Sequence, residues 1–286
     1  AGCPHRASFA AVKKAMRAYD ATFSGDIGCY TLGNAQPLDM VDTCVCMGAG
    51  FTVPQGMYWA DKAATACGDA DATNGKAKTK PKLRCGFVGD STFFASGITG
   101  VINAVYNRAP VVLFVLDNST TAMTGSQPHP GTGIRISYDA SISDAENAIS
   151  IPGILKACGV GHVTTCDPLD FSAAVAAAKE AAKYTSDNGA ISAVVYKSPC
   201  ITVCKAQPQP YVNDKCTQCR ICIDMLGCPA ITMGESAIDI DKSLCYGCDL
   251  CVQVCPSDAI KSTHICGAGD VADKAESGTP QCGDVR

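Results

Sequence analysis

The sequence predicts an α/β protein, with an open, mostly parallel sheet carrying helices on both faces, followed by a small cysteine-rich α+β domain. Three observations predict it. Strand-like and helix-like segments alternate through residues 8–196, as in a parallel sheet built from crossover units. The segment 111–116 is apolar at every position, as in a strand buried on both faces. Eight of the 20 cysteines fall between Cys216 and Cys255, behind a polar stretch at 205–211 that contains Pro208 and Pro210 and reads as a linker.

Taken in order, residues 8–19 carry an amphipathic helix pattern, and a short strand ends near Ser24. Residues 47–64 read as a loop and helix. The stretch 67–82 is polar and lysine-rich and reads as a surface excursion. A strand at 83–88 leads into a helix at 94–107, which Pro110 stops. After the strand at 111–116, residues 117–150 show little periodicity. A loop of that length in a compact domain is commonly functional. A helix at 150–158, a strand at 160–164, an alanine-rich helix at 170–184 and a strand at 190–196 complete the domain. The domains are expected at 1–207 and 211–262. Residues 263–286 are rich in Gly, Asp and Ser and are expected to form a flexible tail.

The net charge of −4 and the absence of a basic stripe argue against nucleic-acid binding. No run approaches the roughly 20 apolar residues of a membrane-spanning helix. No signal-peptide pattern opens the sequence, so a cytoplasmic location is expected. In a reducing compartment so many cysteines point to metal rather than disulfides.

The cysteines repeat a pattern: Cys216-x2-Cys219-x2-Cys222-x5-Cys228-Pro229, then Cys245-x2-Cys248-x2-Cys251-x3-Cys255-Pro256. This is the spacing of a two-cluster bacterial ferredoxin, in which the cysteine before proline ligates the other cluster. One [4Fe–4S] cluster is then expected on Cys216, Cys219, Cys222 and Cys255. The other is expected on Cys245, Cys248, Cys251 and Cys228. Five residues before Cys228, instead of three, lengthen a loop and leave the ligand count intact. Zinc sites, built from two pairs, match poorly.

Gly89-Asp90-Ser91 follows one expected strand and Asn118 follows another, 28 residues after Asp90. Both lie at strand carboxyl ends, where open α/β sheets bind ligands. The Asp90 carboxylate, the Asn118 amide oxygen and a backbone oxygen at Thr120 make a hard-oxygen set suited to Mg²⁺. The pair resembles the Gly-Asp-Gly…Asn-Asn signature of thiamine diphosphate enzymes. Ser91 stands for the second Gly and Asp117 for the first Asn.

Further motifs widen the resemblance: Gly2-Cys3-Pro4-His5-Arg6, Gly25-Asp26-Ile27-Gly28-Cys29-Tyr30, Cys46-Met47-Gly48-Ala49, and the run from Asp117-Asn118 to Gln127-Pro128-His129-Pro130. With the ferredoxin module, residues 1–262 resemble the carboxy-terminal half of the α subunit of the indolepyruvate:ferredoxin oxidoreductases, within the 2-oxoacid:ferredoxin oxidoreductase family. The resemblance implies a thiamine diphosphate-binding fold. It places Gly25, Asp26, Ile27, Gly28, Cys29, Met47, Gly48, Ala49, Gly89, Asp90, Ser91, Thr92, Asn118, Thr120, Met123 and Thr124 around the cofactor. Cys29 and His129 are the catalytic candidates, and His5 is a further site candidate.

It also implies oxidative decarboxylation of a 2-oxoacid, an arylpyruvate by this likeness, to acyl-CoA and CO₂, with electrons passing through the clusters to ferredoxin. A cluster beside the thiamine would draw on Cys3, Cys29 and Cys200. A fourth cysteine expected three residues before Cys3 is not in the sequence, and Cys204 is a substitute. Thiamine enzymes also need a Glu that activates the aminopyrimidine, and no domain here supplies it. A partner chain or preceding region is therefore expected, making a hetero-oligomer. The contrasting readings are the same chemistry on pyruvate or another 2-oxoacid, an electron-transfer subunit without thiamine, and a non-redox thiamine decarboxylase.

Overall fold

The computed structural model describes residues 1–67, 80–136, 141–143 and 147–263. The chain divides into two compact units, Pro4–Pro199 and the residues from Cys200 together with Ala1–Cys3. The division thus falls before the expected linker. Residues 200–207 belong with the second unit because Tyr246 holds them: its hydroxyl donates to the carbonyls of Ile201 and Cys204, each at 2.7 Å, and its carbonyl accepts from Gln207 N.

In the first unit α1 (Pro4–Ala15) leads to β1 (Asp20–Gly25) and the two-residue β2 (Thr43–Cys44). Then come α2 (Ala49–Ala66), β3 (Lys82–Gly89), α3 (Asp90–Thr92), a π-helical turn (Phe93–Gly97), α4 (Ile98–Tyr106) and β4 (Val111–Asp117). A small antiparallel pair, β5 (Ile134–Ile136) and β6 (Ser141–Ser143), precedes α5 (Ile151–Ala157), β7 (His162–Cys166), α6 (Phe171–Asn188) and β8 (Ser192–Lys197). Six strands form one parallel sheet in the order β2-β1-β3-β4-β8-β7. The expected covered α/β sheet is what the structure shows.

The pleat of β4 explains the two layers. Val111, Leu113 and Val115 join Phe51, Val101 and Leu155 in one buried cluster under α2, α4 and α5. On the opposite face Phe114 stacks on Phe87 at 5.0 Å and on Tyr196 at 6.1 Å, Phe9 of α1 packs on Phe87 at 4.6 Å, and the Tyr196 hydroxyl donates to the Ala174 carbonyl in α6. Helix α1 begins four residues earlier than its pattern suggests because Pro4 needs no hydrogen-bonded N–H in a first turn. Helix α6 starts where the Asp170 side chain accepts from Ala173 N and ends at Gly189, whose φ of +58° suits glycine. Among the described residues no helix is long and apolar enough to cross a membrane. The expected excursion at 67–82 and the tail lie almost wholly outside the described residues.

Helix α2 approaches β3 so closely that glycine is required on both sides. A Cβ on Gly50 would overlap the Phe87 carbonyl oxygen, and one on Gly86 would overlap the Gly50 carbonyl oxygen. Gly86→Ala is expected to destabilise this unit by about 1–3 kcal/mol through overpacking, read as a lower denaturation midpoint. An unchanged midpoint would contradict the close approach.

The second unit is small and α+β, as expected. β9 (Tyr211–Val212) pairs with the later β12 (Ile260–Lys261). Between them lie α7 (Ile221–Leu226), the hairpin β10 (Ile231–Met233) and β11 (Ile238–Ile240), and α8 (Leu250–Val254).

Candidate functional site

β3 and β4 are neighbours, with Gly89 opposite Leu116. Asp90 and Asn118 therefore stand side by side at the carboxyl edge of the sheet. They border a pocket of about 160 Å³. Of the residues expected around a cofactor, the wall contains Ile27, Gly28, Cys29, Met47, Gly89, Asp90, Ser91, Thr92, Asn118, Thr120, Met123 and Thr124. Sequence reading did not assign Tyr30, Thr121 and Ala122 to this wall. Ile27, Met47 and Met123 are 46, 51 and 64% exposed, which makes the surround apolar.

Local chain geometry builds the rest. Asp117 Oδ1 accepts from Ser119 N at 3.0 Å and turns the chain after β4. Thr121 N donates to the Gln127 carbonyl, and the Gln127 side-chain amide ties back to Thr124. This closed loop holds residues 120–124 beside the pocket. Burial pushes the Asp117 carboxyl up; Lys197 at 3.3 Å opposes that shift and the Asp90 charge adds to it.

The Asn118 amide head stands 2.7 Å from the Thr120 carbonyl oxygen and 3.2 Å from Asp90 Oδ2. With its nitrogen inward it donates to both. With its oxygen inward, three oxygens converge, an arrangement that a cation makes favourable. The donor chemistry fits Mg²⁺, which takes hard oxygen ligands. Asp90 opens a helical run, α3 through α4, whose amino end favours an anion. Asp90 is itself fixed: Oδ1 accepts from Ser91 N at 2.7 Å, and Oδ2 lies 2.9 Å from His129 Nε2. His129 Nδ1 accepts from Gly131 N, so the ring's Nε2–H donates to Asp90. His129 stacks on Phe94 and is not part of the pocket wall. Its expected catalytic contact is thus replaced by a contact to Asp90.

Four further candidates lie off the wall. Gly25, ending β1, packs against Val41. Asp26 turns inward: Oδ2 accepts from Gly48 N at 2.6 Å, and Oδ1 accepts from the Tyr30 hydroxyl. Gly48 caps α2 with φ of +90°, and Ala49 is buried as its first residue. These residues shape the loop behind Ile27, Gly28 and Cys29. Burial raises the Asp26 carboxyl, and its hydrogen bonds to Tyr30 and the Gly48 N–H oppose that shift. His5, in the first turn of α1, lines the pocket, and its burial lowers the imidazole to about 4.

In the second unit one cavity is lined by Cys216, Cys219, Cys222 and Cys255. Burial pushes the Cys222 thiol up to about 11, and the charges of Cys255 and Cys219 add to that. Burial likewise pushes Cys251 up to about 12, reinforced by Cys248, Cys228 and Cys245. The cysteine before each proline therefore sits with the other triplet. Two sets of four thiols fit iron, which displaces the protons that burial retains. Cys3 and Cys200 belong to this unit, whereas Cys29 belongs to the first. The Cys204 thiol donates to the Cys200 carbonyl at 3.1 Å. The cysteines without ligand spacing are less buried than core thiols: Cys44, Cys46 and Cys67 are exposed, Cys158 and Cys166 are partly buried, and Cys85 is buried.

Comparison with known proteins points to the same two kinds of domain. The family model of the thiamine pyrophosphate enzyme C-terminal TPP binding domain matches residues 26–186, and that of the 4Fe-4S binding domain matches 238–261. The chain is 38% identical over 268 residues to indolepyruvate oxidoreductase subunit IorA of Archaeoglobus fulgidus, covering 91% of this chain and 38% of that protein. It is 37% identical to the subunit of the same name from Methanothermobacter marburgensis, covering 91% and 39%. The chain thus spans about two fifths of these relatives. The fold is similar to that of a 2-oxoglutarate:ferredoxin oxidoreductase from Magnetococcus marinus, with a TM-score of 0.52 and 16% identity over 70% of this chain and 63% of that one. A family-model match over residues 26–186, more than half of the sequence, places the chain in the thiamine pyrophosphate enzyme family, as a C-terminal TPP binding domain joined to a 4Fe-4S binding domain.

Proposed function

We propose that this chain is the cofactor-binding and electron-carrying part of a 2-oxoacid:ferredoxin oxidoreductase. The reaction converts a 2-oxoacid and coenzyme A to acyl-CoA, CO₂ and a proton, with two electrons passing singly to ferredoxin. The observation that carries this reading is the meeting of the Asp90 carboxylate, the Asn118 amide and the Thr120 carbonyl beside one pocket, in the same chain as two four-cysteine sets. The names of the IorA relatives favour an arylpyruvate such as indolepyruvate as substrate.

Thiamine diphosphate, when bound, supplies a nucleophilic carbon and an electron sink for decarboxylation. The chain's own residues do the positioning. Asp90, Asn118 and the Thr120 carbonyl would hold Mg²⁺, and the start of the helical run at Ser91 and Thr92 would face the diphosphate. Ile27, Met47 and Met123 would exclude water from the reacting centre. Cys216, Cys219, Cys222 and Cys255, and Cys245, Cys248, Cys251 and Cys228, would each hold a [4Fe–4S] cluster. The aminopyrimidine-activating Glu would come from a partner chain or from sequence outside this one, in keeping with the two-fifths coverage.

The test is viologen reduction by the whole complex, with coenzyme A and a panel of 2-oxoacids. Reduction that requires coenzyme A and is fastest with arylpyruvates is expected. Inactivity with every 2-oxoacid while thiamine diphosphate is bound would sink the proposal. A complex that binds no thiamine diphosphate would favour a purely electron-transferring module.

A further inference from the structure

His5 is buried, 3% exposed, and forms part of the pocket wall; the Leu116 carbonyl is the backbone acceptor that bears on its ring, yet neither ring nitrogen makes a hydrogen bond of good geometry. Buried polar atoms are nearly always paired, and an unpaired one destabilises the fold unless something else supplies the partner. The polar groups around it are already committed. The Tyr30 ring meets it edge-on at 5.9 Å, but the Tyr30 hydroxyl engages Asp26, and lies 3.2 Å from the Ile27 carbonyl and from Thr92 Oγ1. Asp90 accepts from Ser91 N on one oxygen and contacts His129 on the other. None of these groups pairs with a His5 nitrogen, and the residue borders the pocket.

We propose that His5 is a ligand-contacting residue whose ring N–H donates to an anionic oxygen of the molecule in this pocket. Two molecules present that chemistry: the diphosphate of the cofactor and the carboxylate of the 2-oxoacid. The inference rests on the functional reading above and gives His5, until here only a site candidate, a stated role. It adds a donor from α1 to those at the start of the helical run, so that an anionic group would be held from two elements of the first unit.

The test uses the whole complex with His5→Phe, which keeps a ring and removes both nitrogens, and His5→Gln, which restores an N–H donor. Binding of thiamine diphosphate with Mg²⁺, and of inorganic diphosphate with Mg²⁺, is measured by calorimetry; KM for the 2-oxoacid is measured with bound cofactor at saturation. If the partner is the diphosphate, His5→Phe weakens both calorimetric affinities about ten- to a hundredfold, the effect of a hydrogen bond to a charged group, and His5→Gln recovers part of the loss. If the partner is the carboxylate, both affinities stay at wild-type values and KM rises by a similar factor. A folded His5→Phe with all three quantities unchanged overturns the inference alone. A wild-type complex that binds no thiamine diphosphate overturns the functional reading and this inference with it. Should His5→Phe fail to fold, an experimental structure of the wild-type complex with cofactor and a 2-oxoacid analogue decides. A ligand oxygen within about 3.2 Å of a His5 nitrogen upholds the proposal, and none within about 3.5 Å ends it.

Discussion

Asp90→Ala is expected to abolish Mg²⁺-dependent binding of thiamine diphosphate to the complex, with an affinity loss above a hundredfold and a matching loss of 2-oxoacid-dependent viologen reduction. Asp90 is the one carboxylate among the described residues of the pocket wall. Without it the Asn118 amide and the Thr120 carbonyl offer a cation only neutral oxygens. Removing Asp90 relieves its repulsion on the buried Asp117 carboxyl but leaves His129 Nε2–H without its acceptor, so the denaturation midpoint of the variant is measured alongside. His129→Ala tests the support rather than the ligand. A group that only orients a metal ligand typically accounts for about ten- to a hundredfold in metal affinity, so the loss should be smaller than for Asp90→Ala. Calorimetric titration of cofactor into the cofactor-free complex reads both. Equal losses for the two variants would place His129 in direct contact with the occupant.

Cys228→Ala should remove the cluster of the distant triplet and spare that of its own. Iron would fall by about four per chain, from about eight with two clusters. The informative comparison is between double variants. Cys228→Ala with Cys245→Ala should lose no more iron than either alone, since both strip one cluster. Cys228→Ala with Cys219→Ala should lose about eight, since the two cysteines serve different clusters. The reverse pattern would mean that each run of cysteines closes on itself. Thiamine diphosphate binding should remain intact in all of these variants, which separates cluster loss from collapse of the first unit.

The strands that position the site were legible because burial wrote them directly into sequence. Residues 111–116 are apolar throughout and become a central strand, and the 28-residue offset between Asp90 and Asn118 is one crossover between neighbouring strands. The cysteine runs were legible because ligand spacing is local. Less visible were features that depend on distant residues. β2 contains only two residues, too few for a period. The inward turn of Asp26 depends on Gly48 N and Tyr30, which no pattern around Asp26 announces. His129 looked like a site residue on its loop position; its engagement with Asp90 needed the fold. The unit boundary moved because one phenol, Tyr246, reaches residues more than forty positions earlier.

The π-helical turn at Phe93–Gly97 amounts to one residue inserted into an otherwise α-helical path from Asp90 to Tyr106. Each residue of an α-helix adds about 100° of rotation. Downstream of the turn, Val101 and Ala104 are fully buried, so the far end has no freedom to rotate. Deleting a single residue between Phe93 and Gly97 would therefore swing Asp90 by roughly a quarter-turn away from Asn118 while leaving the downstream packing in place. The inserted residue acts as an angular offset: it lets one end of a single helix obey the core and the other end obey the ligand.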